Sequence, residues 1–212
     1  MIPLILKLKK KGHKDIAQAQ DLIVEELFNV FNNDAVLHGG TAIWRCYNGN
    51  RFSEDVDAFL PKDMSRINLF FISLEKRGFI ILKKKIGENS VYSNLKLNST
   101  IVRFESTFRI IKGTLKEYLT VDSNLIVVYT LTPEELIKGK VNAYLNRRKI
   151  RDIYDIFFLL RHIKNNKAVK NDLKKLINKF KPPIDPKELK VLILEGVVPT
   201  VEDMFNYIQR WI

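Results

Sequence analysis

Asp55 and Asp57 are carboxylates one residue apart at the head of the short apolar stretch Val56 to Leu60. On a strand, residues i and i+2 project from one face, so the pair stands side by side. Like charges at that spacing repel unless a cation neutralises them. A hard divalent ion, Mg2+ or Mn2+, does so using carboxylate oxygens plus the phosphates of a nucleotide rather than an all-protein cage. Upstream, Gly39-Gly40-Thr41 follows the apolar run Ala35-Val36-Leu37 and precedes a helical stretch. A glycine pair at a strand-to-helix turn lets backbone approach a phosphate, the helix N-terminus favours negative charge, and Thr41 adds a hydroxyl donor. Together with Arg51 and Ser53 these residues offer the positioning and charge neutralisation that phosphoryl or nucleotidyl transfer requires. Taken singly, each part has a plainer reading: Asp-x-Asp as a solvated strand edge, Gly-Gly as a turn.

A second constellation lies in ELIKGKVNAYLNRRKIRDIYDIFFLL. Lys140 and Arg147 are seven apart and share a helix face, giving a cationic stripe that can meet a triphosphate. Asp152 and Asp155 fall near the start of the next helix, where carboxylates stabilise the N-terminus. For Asp155 a capping role and a site role both stand, while Tyr154, Ile156 and Phe157 read as core. His13, His38 and His162 make no ligand spacing, and His38 points either into the core or toward the site. The runs Lys83-Lys84-Lys85 and Arg147-Arg148-Lys149 are either a guide for an RNA backbone or a solvated face.

The elements that must position these groups follow from periodicity. Lys14 to Asn33 carries Ile16, Ala19, Leu22, Ile23, Leu27 and Val30 at helical spacing. Strands are predicted at Ala35–Leu37, Val56–Leu60, Phe79–Lys83, Val91–Leu97, Thr100–Ile111 and Val127–Leu131, with a helix over Ala42–Tyr47 and another opened by Pro61 and Asp63 and stopped at Gly78. Thr132-Pro133-Glu134-Glu135 is a helix start: hydroxyl cap, proline in the first turn, acids beside it. Helices are predicted from Thr132 to Arg147, Arg151 to Ile163, Ala168 to Phe180 and Val201 to Ile212, with a short one near Lys187–Leu194. The fold class is α+β: a mixed sheet in residues 1–131, then a helical region in 132–212.

The 212 residues suffice for a buried core, and 46% apolar against 28% charged residues describe an ordered globular chain. With 36 Lys and Arg against 24 Asp and Glu, the net charge of +12 suits phosphate-rich partners and equally a solvated basic surface. No stretch reaches the roughly 18 apolar residues of a membrane helix, and MIPLILKLKKKG lacks the pattern of a signal peptide. A single cysteine, Cys46, forms no internal disulfide, so the expected compartment is the cytoplasm and no membrane partner is expected.

LHGGTAIWRCYNGNRFSEDVDAFL resembles the first motif of the nucleotidyltransferase superfamily, in the form used by the AbiEii/AbiGii toxin family, to which the MenT-like toxins of type IV toxin–antitoxin systems are related. That form reads Gly-Gly-Thr-Ala, a spacer, then Arg-x-Ser-x-Asp-hydrophobic-Asp, and Gly39, Gly40, Thr41, Ala42, Arg51, Ser53, Asp55 and Asp57 fill it. The family's C-terminal motif, Lys, Ala at +3, Arg at +7, then Arg-Asp-x-Tyr-Asp, is matched from Lys140 to Asp155. The similarity extends from Gln18 to about His162.

The resemblance implies a nucleotidyltransferase-like α/β core whose helical C-terminal region completes the active site. It implies transfer of a nucleotidyl group from a nucleoside triphosphate, with pyrophosphate released. Asp55, Asp57, Lys140 and Asp152 would be catalytic, with Lys140 at the phosphates and Asp152 as base or orienting group for the acceptor hydroxyl. Gly39, Gly40, Thr41, Arg51, Ser53 and Arg147 would bind nucleotide, and Asp55 and Asp57 the metal. Glu105 is the candidate third carboxylate, its plainer reading being a solvent-facing strand residue. A tRNA-like RNA acceptor and a protein antitoxin are the implied partners. Two alternatives stand beside this: transfer to a protein or a small molecule such as an antibiotic, and an inactive nucleotide- or RNA-binding module, against which the complete carboxylates and Lys140 argue.

Overall fold

The computed structural model describes residues 3–212. The chain divides into two compact units, the first being the chain up to Cys46 with Phe52–Thr130, the second Tyr47–Arg51 with Leu131–Ile212.

The first unit is built on a seven-stranded mixed sheet. In chain order its elements are α1 (Leu4–Lys7), α2 (Lys11–Phe31), β1 (Val36–His38), α3 (Gly39–Cys46), β2 (Val56–Leu60), α4 (Met64–Lys76), β3 (Ile80–Ile86), β4 (Ser90–Leu97), β5 (Thr100–Phe108), β6 (Thr114–Leu119) and β7 (Leu125–Thr130). The strand order is β3-β4-β5-β2-β1-β7-β6. β2 pairs parallel with β5 and β1 parallel with β7, and the other neighbours are antiparallel. α2 turns Ala19, Ile23, Val24, Leu27 and Phe31 inward, a stripe at helical spacing, and α4 adds Ile67, Phe70, Phe71 and Leu74. These pack on Val56, Ala58 and Leu60 of β2, Val102 and Phe104 of β5, and Val91 and Leu95 of β4. Alternation then puts Asp57, Phe59, Arg103, Glu105 and Tyr92 on the opposite face of the sheet. A buried polar knot ties α2 to the far side: Asp21 accepts from Arg45, Tyr118 and the Val121 amide.

In the second unit, α5 (Pro133–Arg147) opens with the expected hydroxyl cap, completed to a box: the Thr132 hydroxyl accepts from the Glu135 amide and the Glu135 carboxylate from the Thr132 amide. It ends at Arg148, whose φ of 52° is left-handed, and α6 (Ile150–Leu159) follows at once. α7 (Lys170–Asn178), α8 (Leu189–Leu192) and α9 (Val201–Gln209) complete the unit. The Lys181-Pro182-Pro183 link is anchored, since Tyr144 donates to the Lys181 carbonyl and Arg148 to that of Pro182.

The α+β class agrees with the sequence reading, and several bounds differ for physical reasons. α3 begins at Gly39, so the glycines read as a turn are its first residues. β3 runs on to Ile86 through a register shift between Ile81 and Lys83, which interrupts its alternation. β5 stops at Phe108, and the unforeseen β6 is mostly exposed. The helices predicted to Phe180 and Ile212 end at Asn178 and Gln209. Among the described residues no helix is long and apolar enough to cross a membrane.

Candidate functional site

In the first unit the site is organised by the junction of β1 and α3. Gly39 has a φ of 75°, a left-handed conformation open to glycine, and a Cβ there would overlap the Asp57 carboxylate. Asp57 therefore stands where only a bare α-carbon leaves room, at the first residue of a helix. Thr41 is fully buried, and its hydroxyl donates to the Asp55 carbonyl, fixing the backbone from which that carboxylate springs. Gln20, buried in α2, donates to the Ser53 carbonyl at 2.9 Å. The hydroxyl expected to reach a ligand is thus committed to positioning Asp55.

Replacing Gly39 with Ala tests this junction. The positive φ should cost about 1–2 kcal/mol, seen as a lowered melting temperature. Displacement of Asp57 should reduce the transfer that the motif implies by on the order of 10²-fold, measured with a labelled nucleotide.

Glu105 lies directly opposite Asp57 across the parallel β2–β5 pair. Arg103, two residues earlier and on the same face, hydrogen-bonds to Asp55 and ion-pairs with Glu105 at 3.1 Å. Burial works against its charge, but the hydrogen bond and charge of Asp55, with the charges of Glu105 and Asp57, outweigh it and raise its pKa above the ordinary arginine value. One guanidinium thus feels all three carboxylates, which marks the place as suited to a cation. His38 pairs in register with Asp57 and stacks on Phe59 at 4.0 Å, on the carboxylate face rather than in the core.

The second unit holds an alternating chain of charges. Arg51 donates to both oxygens of Asp155, each at 2.6 Å. Lys140 Nζ lies 2.7 Å from Asp155 and 3.5 Å from Asp152. Arg147 then donates to both oxygens of Asp152, each at 2.8 Å. Asp152 and Asp155 are fully buried, Lys140 nearly so, and the Arg147 side chain is 45% exposed. Burial would raise the Asp155 pKa, but Arg51 and Lys140 overcome it and hold it below the usual carboxylate value. For Arg51 burial opposes the charge and Asp155 prevails, raising its pKa. With three cations on two carboxylates the ladder keeps a positive charge. Asp155 is thus the hub of an ion network rather than a helix cap, and Asp152 orients Lys140 and Arg147.

The residues named for catalysis, nucleotide and metal divide between the two units. Gly39, Gly40, Thr41, Ser53, Asp55, Asp57 and Glu105 belong to the first unit, and Arg51, Lys140, Arg147 and Asp152 to the second. Arg103 and Gln20 had not been singled out. Arg103 shares the face of Glu105 by simple alternation, and Gln20 is a polar residue on the apolar side of α2.

The family described as nucleotidyl transferase AbiEii toxin, type IV TA system, matches residues 22–194, a span that contains both clusters. The chain belongs to this family. It is accordingly a nucleotidyltransferase toxin of the toxin–antitoxin type. Among solved structures, JHP933 from Helicobacter pylori superposes with a TM-score of 0.64 at 19% identity, covering 95% of this chain and 92% of that one. MenT4, a nucleotidyltransferase toxin from Mycobacterium tuberculosis H37Rv, superposes with a TM-score of 0.63 at 17% identity, covering 94% and 87%. At such identities the likeness is one of fold. No curated protein gives a significant match. In this AbiEii chain the first motif runs through α3 to β2, and the second lies on α5 and α6.

Proposed function

We propose that this toxin transfers a nucleotidyl group from a nucleoside triphosphate to the 3′ hydroxyl of an RNA, a tRNA end being the acceptor, in a Mg2+-dependent reaction that Mn2+ also supports. The observation that carries this is the seating of Asp57 against Gly39 at a helix start, with Asp55 just before β2 and bound to Arg103, which shares the sheet face of Asp57. The donor set fits a divalent ion: Asp55 and Glu105 already hold the Arg103 guanidinium, and the charge of Asp57 acts on it as well. Among the described residues no three His, Cys, Asp or Glu side chains are arranged to hold a metal by themselves, in keeping with Mg2+, which takes few carboxylates and completes its shell with phosphate and water oxygens. Bound there, the ion would neutralise phosphate charge and align the reacting phosphate.

The chain's own residues do the rest. Gly39 and Gly40 present a helix N-terminus to phosphate, Thr41 holds the Asp55 backbone in place, and Gln20 holds that of Ser53. Lys140 and Arg147 supply positive charge for the triphosphate and the departing pyrophosphate. Arg51 and Asp152 position them, and Asp152, with both oxygens engaged by Arg147, orients rather than abstracts a proton. A protein antitoxin is the natural partner of a family defined by toxin–antitoxin pairing, and the cytoplasm, where tRNA is abundant, is the place of action. Incubation with each labelled triphosphate and with total tRNA, protein or an aminoglycoside tests the acceptor. Labelled RNA is expected, and label on protein alone would overturn the RNA reading.

Arg103 makes a separate prediction, because a built-in cation competes with a metal for Asp55 and Glu105. Arg103→Ala should tighten Mn2+ binding without nucleotide by about fivefold, the worth of one half-exposed ion pair, with Arg103→Lys closer to the parent. Calorimetry or Mn2+ resonance reads this directly, and weaker binding by the alanine variant would contradict the competition.

A further inference from the structure

The run Lys83-Lys84-Lys85 on the edge strand β3 is divided between two faces of the sheet. Lys84 Nζ hydrogen-bonds to Asn68 at 3.2 Å and lies 4.3 Å from the centre of the Phe71 ring, both on α4, so it belongs to the helix-covered face. Lys83 and Lys85 take the other face. They do so because of the register shift after Ile81: Ile81 pairs with Leu95 on the core side, but Lys83 pairs with Asn94 and Lys85 with Tyr92. In unbroken alternation Lys83 and Lys85 would follow Ile81 toward α4, and the bulge re-aims them.

Following the register inward gives two rows. Lys85 pairs with Tyr92, Tyr92 with Glu105, and Glu105 with Asp57. Lys83 pairs with Asn94, and Asn94 with Arg103, the partner of Asp55. Lys83 Nζ also sits 5.1 Å from the centre of the Tyr92 ring. Both lysines are exposed, and Tyr92, Asn94 and Arg103 are half-buried. From Asp57 to Lys85 is three strand steps, about 14 Å. Anionic groups lie at one end of this strip, where Asp55, Asp57 and Glu105 repel a phosphate. Cations lie at the other, with an aromatic ring between. That order suits a polynucleotide strand whose reacting end is at the carboxylates and whose backbone runs outward to the sheet edge.

We propose that the β5–β4–β3 face is the platform for a single-stranded RNA acceptor, with Lys83 and Lys85 holding phosphates and Tyr92 stacking a base. The proposal rests on the RNA-transfer reading above. A single strand is specified because stacking on a sheet-borne ring needs unpaired bases, which a duplex does not offer. The bulge makes this face by placing two lysines beside Tyr92 instead of one.

The test is fluorescence anisotropy of a short fluorescein-labelled single-stranded RNA against the full chain over a range of salt. Lys83→Glu/Lys85→Glu should weaken binding at least about tenfold and flatten the log–log salt dependence by about 1.4, two phosphate contacts on a single strand. Tyr92→Leu should weaken it about fivefold with the slope unchanged. Lys84→Glu, the same charge change on the other face, should stay within about twofold of the parent, which separates this platform from the general attraction of a basic protein. Parental affinity in the double variant, or an equal loss in Lys84→Glu, overturns the proposal. So does a double variant that keeps RNA but loses a co-expressed antitoxin, which would assign the face to a protein. The RNA-transfer reading on which the platform rests is tested separately, by transfer from a labelled triphosphate to the same RNA. Absence of transfer to RNA by the parent chain would remove the RNA-transfer reading without touching the platform, whose own failure shows only in the lysine and tyrosine variants. Circular dichroism confirms that each variant is folded.

Discussion

Asp57→Asn is expected to abolish nucleotidyl transfer, by on the order of 10³-fold or more, while melting close to the parent. The substitution is nearly isosteric, so the side chain still fits the space that Gly39 leaves for it. It also removes one of the negative charges that act on the Arg103 guanidinium. What it removes is a full negative charge at the point where a divalent ion would be held. An amide oxygen is a much poorer ligand there, and phosphate charge then goes uncompensated as the reaction proceeds. Asp55→Asn should lose transfer to a similar degree but is the less clean probe, because it also releases Arg103. Transfer is read from an α-labelled triphosphate and stability from a thermal melt of the same preparation. An Asp57→Asn protein that still labels its acceptor would show that the paired carboxylates are structural. The alternative of an inactive module makes the opposite forecast, with no transfer by the parent chain.

The carboxylate pair was legible in the sequence as a motif because its spacing is local, although β2 begins at Val56 and Asp55 stands just before it. Local rules likewise made the hydroxyl cap at Thr132 and the stripe of α2 legible. Arg51 shows where local reading stops. It lies four residues before Asp55 and fills a place in the same motif, yet its side chain pairs with Asp155, 104 positions away, and its backbone belongs to the second unit. No spacing rule carries that information. Lys140 was read as a cation on a helix face; that it sits between two buried carboxylates depends on how α5 and α6 pack. β6 escaped because its residues are largely exposed and give no apolar alternation. The bulge in β3 escaped for the related reason that an inserted residue cancels the period by which a strand is recognised.

Asp155→Ala is the largest stability change expected. Its carboxylate is fully buried and accepts from Arg51 through two hydrogen bonds and from Lys140 through a third close contact. Deleting it leaves the Arg51 guanidinium, itself 3% exposed, without its anion in a site that excludes water. Breaking a buried pair by removing one partner costs about 3–5 kcal/mol, whereas replacing both partners with apolar groups of similar size costs much less. The double variant Arg51→Met/Asp155→Leu should therefore be more stable than Asp155→Ala alone, a non-additivity that denaturant titration measures directly. If Asp155→Ala instead unfolds at the parent's midpoint, the ladder is not what holds Arg51 in the second unit. The pH dependence has a fixed sign. Because Arg51 and Lys140 depress the Asp155 pKa in the folded state, its contribution is fully present above the unfolded value of 3.8 and is lost as pH falls through the folded value. Parent and Asp155→Asn should accordingly differ by a constant amount near neutrality, and the difference should shrink only in acid. Both changes also release Lys140, so transfer should fall together with stability in Asp155→Ala. The double variant, which recovers the fold but not the placement of Lys140, should recover stability while transfer stays low.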